Sequence, residues 1–281
     1  MLSSTEFDSL VEEAFRLIPK RFRQRMHNVA IVVEQEPPRP GLLGLYQGRP
    51  LPTRSVFAGF AMPDKITIYQ GPHERSARTR AELEQVATAI EIYQSKRGQY
   101  PPDNHYPNGT VNPYVNQLYY ELAGTTNWVQ GGQAYYQTTD GRSKVRATDI
   151  SSALGVPVSG FANSRTGGSV EEGSTVVNCV KGTLRPDQVA DTPNGFKLLV
   201  GSVPLPFQAP RPYTPPPHTP PYPGSAQIDT NSTAWYCAWR YNSSSPTNNP
   251  GSYDLWIDVI IDGKTNRFSN WSRNPVIVGS P

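Results

Sequence analysis

Four histidines stand in this 281-residue chain, His27, His73, His105 and His218, and no two are spaced i, i+4. A helical H-E-x-x-H zinc site needs two imidazoles one turn apart, with the glutamate as general base. Within one helix these histidines cannot supply it. His73-Glu74 is an adjacent His-Glu pair, placed in a loop ahead of a helix and not read as a ligand pair. Asp254, Asp258 and Asp262 recur every four residues, which on a strand sends three carboxylates to one face. That spacing invites a calcium reading, but Gly263 marks a turn there and a dense oxygen-ligand loop is missing. Glu171-Glu172 reads as solvated loop charge and not as a catalytic dyad. G-x-S-x-G, G-x-G-x-x-G and G-x-x-x-x-G-K-[ST] do not occur. No residue is assigned a catalytic role and no metal or other cofactor is expected, with calcium as the one candidate.

Cys179 and Cys237 are the two cysteines. By count alone they fit one disulfide of an exported protein as well as two unrelated buried thiols. Each sits in a short apolar or aromatic run that reads as a strand, Val176 to Val180 and Trp235 to Trp239, and this favours the bridge. Closing a loop of about 57 residues would contribute about 4 kcal/mol. The N-terminus runs against export: Glu6, Asp8, Glu12 and Glu13 interrupt any basic-then-apolar signal pattern. No stretch is apolar for the 18 or so residues of a membrane span.

The net charge of +3 is too small to argue for nucleic acid. Residues 1–80 carry 12 Lys+Arg against 8 Asp+Glu, with Lys20, Arg21, Arg23 and Arg25 clustered, a run read as a solvated helix end. Only 36% of residues are hydrophobic and 17% charged, while 29 are Pro and 23 Gly. Much of the chain must therefore be turns and irregular loops. Asn108, Asn231, Asn242 and Asn270 head glycosylation triplets, which mark polar loops. Trp128, Tyr135, Tyr136, Trp235 and Trp239 could line a sugar or partner surface, or equally a sheet core.

Hydrophobic periodicity supplies the elements. Ser3 to Glu6 forms a capping box, and Phe7, Leu10, Val11, Ala14, Phe15 and Ile18 follow at helical spacing up to Pro19. Val29 to Val33 reads as a buried strand, Leu42 to Leu51 as a loop and Lys65 to Tyr69 as a second strand. Leu83, Val86, Ala87, Ile90 and Tyr93 define a helix over about 77–97, stopped by Gly98 and Pro101-Pro102. Beyond it, Ala134–Thr138, Thr175–Val180, Phe196–Val200, Ala234–Tyr241 and Tyr253–Ile261 read as strands. Ten prolines in Val203–Pro223 make that segment an extended surface loop. The expectation is an α+β fold in which an amphipathic helix packs on an antiparallel sheet with long Pro/Gly-rich loops, beside a small N-terminal α/β segment. The division falls at 1–76 and 77–281. Trp256, Ile260 and Phe268 are the expected helix–sheet contacts.

Two resemblances meet in that helix. From about Arg80 onward, the stretch from Ala87 through Tyr93 to Gly98-Gln99-Tyr100-Pro101 resembles the close of the long helix in type IV pilin-like proteins, nearest the type II secretion pseudopilins. Ser252-Tyr253-Asp254-Leu255-Trp256, then Gly263-Lys264 and Ser269-Asn270-Trp271, resembles the C-terminal strands of that family. The resemblance implies a pilin-like structural subunit and not an enzyme. Its partners would be other pilin or pseudopilin subunits or secretion-machinery proteins, with no nucleic acid and no membrane span in this chain. Its location would be periplasmic or extracellular, although no export signal is visible. Family members polymerise through an apolar half-helix that is not seen here.

The first 86 residues resemble the small zinc metallopeptidases called minimal zincins. The matching text is Arg16-Leu17-Ile18-Pro19, Asn28 to Glu34, Leu42 to Gly48, Pro63 to Tyr69 and Glu82 to Val86. That family continues its helix into H-E-x-x-H, whereas this chain reads Ala87-Thr88-Ala89-Ile90-Glu91-Ile92-Tyr93. The expectation is a pilin-like assembly protein behind an inactive zincin-like segment. The alternatives are a zinc metallopeptidase and a secreted binding module.

Overall fold

The computed structural model describes residues 2–24, 26, 28–39, 42–48, 63–104, 111, 113–154, 158–166, 176–182, 184–192, 195–204, 225–227, 235–261 and 263–279. Its fold is α+β. The chain divides into two units, Met1–Ala77 with Ile261–Lys264, and Arg78–Ile260 with Thr265–Pro281.

The first unit opens with α1 (Ser4–Leu17), started by the capping box the sequence implies. Ser3 Oγ accepts from the Glu6 amide at 3.3 Å, and the Ser3 amide donates to Glu6 Oε2 at 2.8 Å. The extended backbone of Ile18 before Pro19 ends it, and the one-turn α2 (Lys20–Arg23) follows. Phe7 is the single buried residue of α1. β1 (Val29–Glu34) and β3 (Asp64–Tyr69) pair in parallel, and β2 (Gly44–Gln47) lies antiparallel on the other side of β3. β1 is thus an edge strand and only half-buried, not the buried strand expected of its β-branched run. β2 lies inside the stretch expected to be a loop.

α3 (Gln70–Arg97) starts directly at the end of β3, seven residues before the periodicity predicts. Pro72 does not prevent this, because a first-turn residue has no intrahelical use for its N–H. Gln70 supports the start by donating through Nε2 to Glu74 Oε1 at 2.9 Å. His73-Glu74 is therefore helical and not in a loop. Gly98, at φ +75°, ends the helix and donates its N–H to the Gln94 carbonyl at 2.8 Å.

The second unit holds three sheets. β4 (Thr125–Gln130), β5 (Gln133–Thr138), β6 (Lys144–Arg146) and β7 (Ser164–Thr166) are ordered β6-β5-β4-β7. The short α4 (Leu118–Ala123) precedes β4, and α5 (Ala147–Leu154) follows β6. β8 (Val189–Asp191), β9 (Lys197–Pro204), β10 (Ser225–Gln227) and β11 (Trp235–Ala238) close a small barrel. β12 (Arg240–Asn242), β13 (Asp254–Ile261), β14 (Lys264–Ser269) and β15 (Ser272–Gly279) form the third sheet in that order.

The stripe Leu83, Val86, Ile90 and Tyr93 of α3 is buried at 3% exposure or less. Around it, Arg80 of α3 donates to the Ser272 carbonyl at 3.0 Å and lies 5.8 Å over the Phe268 ring, and Tyr253 Oη donates to the Ala87 carbonyl at 3.4 Å. Along β13, Leu255, Ile257 and Val259 share the face of Tyr253 and are fully buried. Of the three expected contacts only Phe268 faces the helix. Trp256 and Ile260 have the opposite parity, and Trp256 meets Trp271 edge-on at 5.7 Å beside the Asp258–Arg267 ion pair.

Two predicted strands are corrected. Residues 176–180 are irregular, because Val177 N donates to the Asn163 side chain and Cys179 N to the Leu122 carbonyl, not to a neighbouring strand. The Ala234–Tyr241 run breaks at Trp239, whose N–H reaches the Leu199 carbonyl as the chain leaves the barrel for the third sheet. The Pro-rich segment lies outside the described residues from 205 onward.

Candidate functional site

α3 is the element on which zinc chemistry would have to be built. An H-E-x-x-H register can be laid on each of its glutamates. Around Glu82 it places Ala81 and Gln85 at the imidazole positions; around Glu84, Leu83 and Ala87; around Glu91, Ile90 and Gln94. Around Glu74 it finds His73 but then Ala77. His73 stands on the exposed side of the helix, 6.3 Å from the Phe7 ring, and Glu74 Oε1 accepts from the Leu2 amide at 2.8 Å. Glu82 is buried and accepts from the Ser202 amide at 3.0 Å, from the Ser202 hydroxyl and from Arg185. No register offers two nitrogen ligands, so the residues do not fit a zincin metal. Among the described residues no group of three His, Cys, Asp or Glu side chains is placed to hold any metal ion.

What α3 builds instead is a polar knot at its C-terminal end. Tyr93 Oη donates to Glu121 Oε2 at 3.0 Å. Glu121, buried in α4, also accepts from the amides of Ala162 and Asn163 at 2.8 Å each, and from Gln117 Nε2 at 3.2 Å. Burial pushes the Glu121 carboxyl above its ordinary value, and the Asn163 and Ala162 N–H groups oppose that shift. Asn163 ties the knot outward, donating to the Glu121 carbonyl at 2.7 Å and the Val177 carbonyl at 2.6 Å. Burial, reinforced by the Glu121 charge, pushes the Tyr93 hydroxyl well above the usual tyrosine value. The cluster is a satisfied structural network with no open ligand position. The sequence reading missed Glu121 and Asn163. The available signal was one charge inside the aromatic run Leu118-Tyr119-Tyr120-Glu121-Leu122.

The signature residues at the two ends of the head meet. The Tyr100 ring packs on Tyr253 at 5.1 Å and Tyr253 on Tyr241 at 5.8 Å, while Tyr100 Oη and Ser252 Oγ lie 3.3 Å apart. The Pro101 carbonyl accepts from Tyr241 Oη and Ser243 Oγ, both at 2.9 Å. Tyr100, Pro101, Tyr241 and Tyr253 thus form one packed junction between the chain just past the helix end and the start of β13, while Tyr93 points to Glu121 and Gly98 is exposed at the helix end. Trp256 and Trp271 lie together on the other face of that sheet.

The calcium candidates are engaged by donors. Asp254 Oδ2 accepts from the amides of Thr247 and Asn248, and Oδ1 from that of Asn249, at 2.9–3.0 Å. Burial works to raise its pKa, but these N–H donors hold it below the ordinary value. Asp258 is paired with Arg267 at 2.7 Å and Arg240 at 3.3 Å. Asp262 lies outside the described residues.

Cys179 and Cys237 are both free and buried, which corrects the expected disulfide. Burial pushes the Cys179 thiol up to about 11 and the Cys237 thiol up to about 12. Their charged surroundings differ, Arg97 and Glu121 for the first, Arg240 and Asp258 for the second. Cys179 sits on the irregular segment whose N–H reaches the Leu122 carbonyl of α4, and Cys237 on β11. Of the glycosylation triplets, Asn242 is buried and bonded to the Ser245 carbonyl, and Asn270 to the Tyr253 carbonyl. Asn108 and Asn231 lie outside the described residues.

No curated protein matches this chain. A model of the zincin-like metallopeptidase family matches residues 26–92, from just before β1 to within α3.

Proposed function

We propose that this chain is a non-enzymatic structural subunit, a pilin-like helix-on-sheet head that follows a zincin-like segment without zinc ligands. The observation that carries the reading is α3 itself. Every H-E-x-x-H register on it lacks at least one histidine, and its apolar stripe, with Ile90 and Tyr93 fully buried, serves as core for the head. The junction of Tyr100, Pro101, Tyr241 and Tyr253 supports the same reading. In it, the chain past the helix end and the sheet are held together. Partners are then other pilin- or pseudopilin-like subunits or secretion-machinery proteins, and the setting is periplasmic or extracellular.

A second reading, a zinc metallopeptidase of the minimal zincin type, is favoured by the family match over residues 26–92. One measurement separates the two. Protein purified from zinc-supplemented medium should contain close to no zinc by elemental analysis and show no chelator-sensitive cleavage of a peptide library. Near one zinc per chain with chelator-sensitive cleavage would replace the first reading by the second. Cross-linking that captures pilin-like subunits from a cell carrying the secretion machinery is the positive test of the first.

A further inference from the structure

The sheet β6-β5-β4-β7 has one packed face and one open face. Tyr136 meets the Phe161 ring at 5.3 Å on the packed side, where Thr125, Thr138 and Val145 are buried. The open side follows from register, because directly paired residues share a face and residues two apart along a strand do too. Trp128 pairs with Tyr135, Tyr135 with Arg146, Gln137 with Lys144, and Thr126 with Arg165. Two aromatics therefore sit on the central strands, with cations on both edge strands. The spread from edge to edge is three strand spacings, about 14 Å.

The charge on this face is one-sided. The four strands contain no Asp or Glu. Lys144, Arg146 and Arg165 are exposed, and none of them forms an ion pair among the described residues. Trp128 and Tyr135 stack at 6.0 Å, and the Lys144 ammonium lies 5.1 Å and 4.6 Å over their rings.

We propose that this open face binds an acidic polysaccharide, with sugar rings against Trp128 and Tyr135 and carboxylates at Lys144, Arg146 and Arg165. Three features select this occupant. Among the described residues the cations have no acidic partner on the face, so an anionic polymer supplies the missing charge. Glutamine side chains beside the aromatics, Gln137 among them, offer both donors and acceptors to hydroxyls. Lys144 covers part of both ring faces, which obstructs the full stacking a nucleobase needs, while the uncovered part of each face takes the smaller C–H contacts of a sugar. The inference is independent of whether the head assembles with pilin-like subunits.

The test is titration calorimetry of the full chain with oligogalacturonate at low salt, against a neutral cello-oligosaccharide and oligo(dT). Saturable binding of oligogalacturonate is expected, weakening as salt is raised. The doubly substituted Lys144→Ala/Arg146→Ala protein should lose at least ten-fold in affinity, as should Arg165→Ala on the opposite edge, while both melt with the parent protein. Trp128→Ala should lose affinity at unchanged salt dependence. Absence of saturable binding overturns the proposal, as does an affinity untouched by the cation substitutions. Equal binding of the neutral oligosaccharide, or tighter binding of oligo(dT), overturns it too.

Discussion

Asp254 accepts three backbone N–H bonds from residues 247–249, so its carboxylate organises the loop between β12 and β13. Its folded pKa lies below the ordinary 3.8. The stabilisation it provides is therefore complete above that value and is lost as pH falls through the folded one. Asp254→Asn should cost about 1–3 kcal/mol at neutral pH, since an amide presents a donor where N–H groups point. It should also flatten the fall of stability between about pH 5 and pH 2. Urea unfolding at a series of pH values checks both. Glu121→Ala removes the acceptor of Tyr93 Oη and of two buried amides. It should cost at least as much, about 1–3 kcal/mol for the stranded donors alone. An equal loss from an exposed glutamate such as Glu84 would contradict that assignment. The thiols give a direct check as well. With both cysteines free and buried, the intact mass should be the same with and without reductant, and an aromatic disulfide reagent should titrate them only after denaturation.

At the scale of elements, α3 is shared between the zincin-like match and the core of the second unit. The zincin-like match runs through residue 92, so the buried Leu83, Val86 and Ile90 lie within it and Tyr93 just beyond it. Gly98 decides where α3 ends. The residue stands at φ +75°, and nothing lies within 4 Å of where a Cβ would be. Gly98→Ala should therefore cost about 1 kcal/mol purely through left-handed backbone strain. The thermal midpoint should fall with no change in the circular dichroism of the folded state. A neutral substitution would mean that the helix can end elsewhere. The segment at 176–180 makes the complementary point. Its β-branched residues suit a strand, but the hydrogen-bond partners that reach it are a side chain and a helix carbonyl, so no ladder forms.

On the scale of the whole molecule, the two units differ in how completely their apolar surface is covered. α1 buries only Phe7, and Leu10 and Leu17 are 50% and 80% exposed. Along β13 and the α3 stripe, by contrast, Leu255, Ile257, Ile90 and Tyr93 are all fully buried. Local opening is easiest where few apolar contacts resist it. Amide hydrogen exchange should be slowest at β13 and at Leu83–Tyr93 of α3, and faster by orders of magnitude along α1. Uniform protection across all three would contradict this ordering. Among the described residues no helix is long and apolar enough to cross a membrane.

Local pattern was enough to predict several features. The capping box at Ser3, the two strands around Val29 and Lys65, the amphipathic stripe from Leu83 to Tyr93, its stop at Gly98 and the α+β class all rest on neighbours in sequence, where periodicity and backbone preference act directly. The absence of an i, i+4 histidine pair was legible in the same way. What required the tertiary structure was every property that depends on which distant group arrives. The parity of β13 sends Trp256 away from the helix and Asp258 to two arginines. Glu121 is a buried acceptor because Tyr93 and the Ala162–Asn163 amides converge on it. The segment around Cys179 is tied to α4 and not laid beside a neighbouring strand. The three cations of the β6-β5-β4-β7 face, scattered between positions 144 and 165, become one surface only through strand register, since cross-strand pairing, and not distance along the chain, determines which side chains share a face.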